Sequence, residues 1–197
     1  METANIELPV YLIGSQFDGG TVEAAFKQFE GRDEFCLSMI DDVKDARGKP
    51  DRWQTVKRCV KKAIEAQEDL FVLCESDHIF TAQYHKDYLV RNIIEAHGQG
   101  CNILCGGVAS FQDAVPLSRN RYWIDSFMVS SFTIIYAKFY QNLLDEPGTE
   151  NLTLDQNLSK MTSHKMTLYP FISVRNYPKS GGLGTLQCEI MYRFTNS

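Results

Sequence analysis

LFVLCESDHIF, residues 70–80, decides how the chain is read. An apolar, strand-forming run (Leu70, Phe71, Val72, Leu73, Cys74) passes into Glu75, Ser76, Asp77 and His78 with no Gly or Pro between them. A run of this length reads as a strand buried on both faces. If its end stays extended, Glu75 and Asp77 fall on one side and Ser76 and His78 on the other. Neighbouring carboxylates repel unless a cation lies between them. Hard oxygen ligands favour Mg²⁺ or Mn²⁺ over zinc. The competing reading is that the acids only open a loop, with Asp77 capping the helix that follows.

Outward from this stretch the pattern alternates. LPVYLIGS (8–15) reads as a first buried strand, and FDGG leads into TVEAAFKQFEG, with Phe26 and Phe29 at helical spacing. EFCLSMIDD (34–42) reads as a second strand. RWQTVKRCVKKAIEAQ (52–67) puts Trp53, Val56, Val60, Ala63 and Ile64 on one helical face ahead of the third strand. Residues 81–100 form a helix with Gly98 as its stop, and CNILCGGVA (101–109) a fourth strand. Residues 125–146 run from strand to helix, TLDQNLSKMTS (153–163) is a short helix, and MTLYPFISVR (166–175) a last strand. Strands alternating with helices predict an α/β fold, one Rossmann-like domain over 1–197, with a mixed, mainly parallel sheet flanked by helices. In such sheets ligands collect outside the carboxyl ends of the strands, where Glu75 and Asp77 lie.

Composition excludes several classes. The chain of 197 residues is 44% hydrophobic and 23% charged, with a formal charge of −5, which suits a globular domain and not a nucleic-acid binder. The basic run KRCVKK (57–62) reads as one solvated helical face. Six cysteines without CxxC spacing read as free, mostly buried thiols in a reducing compartment. No leader-like or membrane-spanning run is seen, so the expected location is the cytoplasm, with peripheral membrane contact left open. The sequons at 151 and 157 are then chance matches. There is no GxSxG elbow and no GxGxxG after the first strand, which argues against a serine hydrolase and a dinucleotide oxidoreductase.

Three stretches carry a resemblance to a known family. LPVYLIGS stands where that family has its opening strand; RWQTVKRCVKKAIEAQEDLFVLCESDHIF resembles its helix, apolar strand and acidic motif; SSFTIIYAKFYQNLLDE through LTLDQNLS to LYPFISVR resembles its strand, helix, Asp-centred segment and Tyr-Pro strand. The order is similar to glycosyltransferases of the GT-A fold, most of all to glycosyltransferase family 25, the lipooligosaccharide (lipopolysaccharide) biosynthesis type. Ser76 departs from the family's Glu-Asp-Asp motif, leaving Glu-x-Asp.

The resemblance implies a metal-assisted, inverting hexosyltransferase that moves a sugar such as galactose from a UDP-sugar to a glycan or glycolipid acceptor. It implies Asp77 as ligand of Mn²⁺ or Mg²⁺, with Glu75 as second ligand or catalytic helper, and Asp155 as the base for the acceptor hydroxyl. TLDQNL could equally begin a helix at Thr153 or Asp155, with its first residue only a cap. Gly14, Ser15, Gln16, Asp41 and Asp42 stand at strand ends suited to the nucleotide, and Arg52 or Lys49 could reach the diphosphate. GG at 106–107 could admit a ligand or only a turn, and Gln156 and Trp123 could touch a sugar or only serve the fold. YPKSGGLG (177–184), in the tail 176–197, could order over the donor. Two other readings stay open: an inactive nucleotide-sugar binding module of the same fold, and a sugar nucleotidyltransferase.

Overall fold

The computed structural model describes residues 6–14, 19–149 and 151–175. Along them run β1 (Leu8–Ile13), α1 (Gly19–Phe29), β2 (Phe35–Ile40), α2 (Arg52–Glu65), β3 (Leu70–Glu75), β4 (His78–Phe80) and α3 (Lys86–Gly98). There follow β5 (Ile103–Cys105), β6 (Ala114–Ser118), β7 (Arg121–Ile124), β8 (Phe132–Tyr136), α4 (Tyr140–Asp145), α5 (Leu154–Met161), β9 (Lys165–Leu168) and β10 (Ser173–Arg175). The main sheet has the order β2-β1-β3-β8-β5-β9-β7-β6, and β10 and β4 form a separate ribbon. Only β8 and β7 run against the other six strands of the main sheet, so it is mixed and mainly parallel, as the alternation of elements predicts.

Strand alternation divides the core into two layers. Tyr11, Ile13, Phe71, Leu73, Ile103 and Ile135 face the layer that holds Trp53, Val56, Val60 and Ala63 of α2 with Leu143 and Leu158. Val10, Leu12, Val72, Cys74, Leu104 and Ile134 face the other layer, with Phe29 of α1 and Leu89, Ile93 and Ala96 of α3. Burying a side chain of this size contributes about 1.5–3 kcal/mol, so the two layers dominate the stability. The predicted face of α2 is corrected at one position: Ile64 is 47% exposed, because it follows buried Ala63 by one residue and turns about 100° away. Cys59, Cys74, Cys101 and Cys105 are buried free thiols and Cys36 is an exposed one, while Cys188 lies outside the described residues. Among the described residues no helix is long and apolar enough to cross a membrane.

Several elements differ from the sequence reading. The fourth strand shrinks to Ile103–Cys105. The last predicted strand is two: β9 stays in the main sheet, and β10 leaves it to pair with β4. Pro170, which has no N–H to give a ladder, lies between them. The hairpin of β6 and β7 was not foreseen, since β6 is half exposed and carries Pro116, a residue tolerated only on an edge strand.

Candidate active site

Register brings the strand ends level. Ile13 of β1 pairs with Ile40 of β2 and with Glu75 of β3, so Gly14, Asp41 and Ser76 all emerge at one edge of the sheet. Antiparallel β8 begins at that edge: Glu75 N donates to Ser131 O at 3.0 Å, and Gly106 N, just past β5, donates to Phe132 O at 2.8 Å. A turn at Ser76 and Asp77 then leads into β4, whose His78 pairs with Arg175 of β10.

That pairing delivers a guanidinium to the acids. Arg175 Nη2 lies 2.7 Å from Glu75 Oε2, and its Nε lies 3.0 Å from Asp77 Oδ2. The second contact is an ion pair without the alignment of a hydrogen bond. The two carboxylates therefore share one side, as alternation predicts, although the chain there is a turn. Ser76 points the other way, onto Gly14: a Cβ on Gly14 would sit 2.6 Å from Ser76 Oγ, so only glycine fits at the end of β1. His78 is buried, with its ring against Phe29, Phe80 and Phe132 and Nδ1 at 2.8 Å from Ser173 Oγ. Burial pushes its pKa down to about 3, which makes it a neutral packing residue.

Asp155 joins the same group from α5. Thr153 caps that helix, its hydroxyl accepting from Gln156 N while Gln156 Oε1 accepts from Thr153 N at 2.9 Å. Of the two caps that TLDQNL offers, Thr153 or Asp155, the helix uses Thr153, and Gln156 is held in the capping box. Asp155 instead turns inward, where Oδ2 accepts from Ser130 N at 3.1 Å. The loop before α5 is tied by buried Asn157, which bonds Thr149, Leu152 and Thr153 and thereby fixes where the helix starts.

The electrostatics show excess negative charge. Burial pushes Glu75 up to about 7, against the pull of Arg175 and with the charges of Asp155 and Asp77 adding to the rise. Asp77 and Asp155 are also raised, each mainly by burial, with Arg175 opposing both. Asp77 Oδ1 is buried with no hydrogen-bond partner among the described residues. Such an orphaned carboxylate oxygen, among three acids with Arg175 between two of them, suits a hard cation. Among the described residues no three His, Cys, Asp or Glu side chains are grouped to hold a metal by themselves. Glu75 and Asp77 offer at most two carboxylates, the number a Mg²⁺ or Mn²⁺ ion takes when a substrate's phosphates and water complete its shell.

Around this centre, Arg52 Nη1 donates to Asp42 Oδ1 at 3.2 Å, and Asp42 Oδ2 is a buried acceptor with no hydrogen-bond partner among the described residues. Arg52 is near enough that its charge lowers both Glu75 and Asp77. Asp41 is exposed, its carbonyl taken by Arg58. Lys49 is exposed on a loop pinned by Asp45, and Trp123 donates to Ser163 O at 2.7 Å in β7. The basic run of α2 is only partly solvated, since Lys57 donates to Leu144 O and Lys62 lies over the Tyr11 ring. Ser15, Gln16 and 177–184 lie outside the described residues. The two glycines at 106–107 admit chain and not ligand: a Cβ on Gly107 would lie 2.2 Å from Ser173 O, so Gly107 lets the segment carrying Ser173 and Arg175 cross β5.

The sequence reading missed Arg175. It stood last in the predicted strand 166–175, and the available signal was one basic strand end to match an acidic one.

No protein-family model and no curated protein matches the chain. Among solved structures it is similar to A197 from STIV, at TM-score 0.60 and 10% identity over 88% of this chain and 87% of that one. It is also similar to UDP-glucose pyrophosphorylase complexed with UDP-glucose, at TM-score 0.51 and 10% identity over 96% of this chain and 82% of that one. The glycosyltransferase GlyE in Streptococcus pneumoniae TIGR4 follows at TM-score 0.49 and 12% identity, over 83% of this chain and 45% of that one. At such identities the likeness is one of fold.

Proposed function

We propose that this chain is a nucleotide-sugar-dependent glycosyltransferase of GT-A type, moving a hexosyl unit such as galactose from a UDP-sugar to a glycan or glycolipid acceptor. One observation carries the reading: Glu75 and Asp77 from the end of β3 and Asp155 from α5 converge around Arg175 at the carboxyl edge of the sheet. The likeness in fold to a structure that holds UDP-glucose supports it. So does the resemblance of three sequence stretches to family 25, from which the lipooligosaccharide-type acceptor is drawn.

The chain's own groups divide the work. Asp42, with its orphaned Oδ2, accepts ribose hydroxyls just past the end of β2, and Arg52 keeps its carboxylate oriented. Asp77 and Glu75 would hold Mn²⁺ or Mg²⁺. When bound, the ion neutralises charge that develops on the departing diphosphate. Asp155 takes the proton of the attacking acceptor hydroxyl. Its carboxylate is fixed by the Ser130 N–H, and burial raises its proton affinity toward the working pH. A base on the acceptor side of the donor sugar gives inversion at the anomeric carbon.

A second reading, nucleotidyl transfer, is favoured by the pyrophosphorylase likeness alone. One assay pair separates the two. A transferase releases UDP from UDP-galactose or UDP-glucose when acceptor glycans are supplied with Mn²⁺. A nucleotidyltransferase makes UDP-sugar and pyrophosphate from UTP and sugar 1-phosphate. Pyrophosphate formation without UDP release would replace the first reading by the second. Binding of UDP-sugar with neither product would leave a binding module.

A further inference from the structure

We infer that Arg175 is an exchangeable counter-cation: it pairs Glu75 and Asp77 until a divalent ion takes those carboxylates, and its released guanidinium then binds the donor's diphosphate. The inference rests on the transferase reading for its phosphate half only.

The contact geometry comes first. Each of two guanidinium nitrogens takes one oxygen from a different residue, 2.7 Å to Glu75 Oε2 and 3.0 Å to Asp77 Oδ2. This is bridging and not the parallel fork of a bidentate arginine pair, so it lacks the added directionality of that arrangement. An ion bound to the same two oxygens would lie against the guanidinium, and two cations do not share one pair of acceptors. At these two oxygens occupancy is therefore one or the other, whereas an ion held through the orphaned Asp77 Oδ1 alone would leave Arg175 in place and give equal Mn²⁺ binding with and without it.

Charge count gives the direction. Glu75, Asp77 and Asp155 are three acids against Arg175 and the more distant charge of Arg52, so replacing a single charge by a double one improves the balance around β3. A diphosphate arriving with its own negative charge reverses the need, and the displaced guanidinium is at hand to meet it. A planar guanidinium suits phosphate oxygens well.

Freedom to move comes from position. The Arg175 side chain is 19% exposed and ends β10, which is paired to the three-residue β4 and not to the main sheet. Gly107, where a Cβ would meet Ser173 O, fixes the backbone of that segment, so the side chain can turn while its root stays put.

The test uses the full chain and the variants Arg175→Gln and Arg175→Lys, with thermal midpoints as a fold control. Mn²⁺ alone is titrated first, with its electron paramagnetic resonance signal as the readout. Arg175→Gln should bind Mn²⁺ about ten-fold more tightly than wild type, the size of an ordinary coupling between two occupants, with Arg175→Lys in between. UDP is titrated next at saturating Mn²⁺, where Arg175→Gln should bind about ten- to a hundred-fold more weakly, the loss expected for a charge-assisted contact. Equal or weaker Mn²⁺ binding in Arg175→Gln would overturn the exchange. Unchanged UDP affinity would overturn the phosphate role. If the Mn²⁺ arm behaves as expected and the wild type binds no UDP, the exchange stands and the transferase reading falls.

Discussion

Two guanidiniums among the described residues, those of Arg121 and Arg175, are matched in opposite ways. Arg121, on β7, is 2% exposed and spends its nitrogens on Asn92 Oδ1 at 2.6 Å, Glu95 Oε2 at 2.7 Å and Gln99 Oε1 at 3.3 Å. Its one carboxylate partner is half exposed and the other two acceptors are neutral, so charge is balanced and all partners come from α3 and its C-terminal end. Arg175 is less buried, pairs with the carboxylates of Glu75 and Asp77, and stands beside a third acid whose pKa is raised. A structural arginine is matched to its surroundings. A site arginine sits in an environment that still wants positive charge, and that surplus is a physical mark of a place where something else binds.

The largest test of this contrast is chemical. Asp155→Asn should lower the transfer rate about 10²–10⁴-fold, the usual worth of a general base, as measured by UDP release. The thermal midpoint should hold or rise, because asparagine still accepts from Ser130 N and one excess charge is gone. Undiminished turnover would remove Asp155 from the mechanism. The next test sets the two arginines side by side in urea denaturation. Arg121→Ala should cost about 3 kcal/mol, since buried Asn92 loses its donor, whereas Arg175→Ala should cost less than about 1 kcal/mol. Equal costs would erase the distinction.

The third test uses pH. Glu75 in the folded chain is raised to about 7 from 4.5, so its contribution is present below the unfolded value and is lost as pH rises through about 7. His78 is depressed to about 3 from 6.5, so folding excludes a proton that the unfolded chain accepts, and stability is lost as pH falls below 6.5. Between pH 7 and pH 5 the two contributions are each about 2 kcal/mol and opposite in sign, and nearly cancel. Glu75→Gln should therefore become less stable on acidification relative to wild type, and His78→Asn more stable, by unfolding midpoints at the two pH values. Parallel slopes in both variants would contradict the burial of these groups. The smallest effect is expected at the cap of α5. Thr153→Ala should cost about 1 kcal/mol by the same measurement, with a small drop in turnover as the first turn that holds Asp155 loosens.

Much of the fold was legible because its signals are local. The apolar runs that became β1, β2 and β3, and the amphipathic stretch that became α2, are set by periodicities of two and about 3.6 residues that each segment carries alone. Weak local signals failed. β4 has three residues, β6 is an exposed edge strand with a proline, and β10 differs from a continuation of β9 only through the partner it chooses. For the site, Glu75, Asp77 and Asp155 could be proposed from strand ends and from a resemblance, while the choice between Thr153 and Asp155 as the cap of α5 was left to the structure.

The sequence by itself determined the α/β class and the arrival of two carboxylates on one side of a strand end, since both follow from the spacing of side chains along a single segment. Tertiary structure decided what stands between those carboxylates. Arg175 reaches Glu75 and Asp77 because β10 pairs with β4 and because Gly107 lets that segment cross β5 at close range. Pairing between short strands about a hundred residues apart is chosen by the packing of the whole sheet, and no local pattern encodes it.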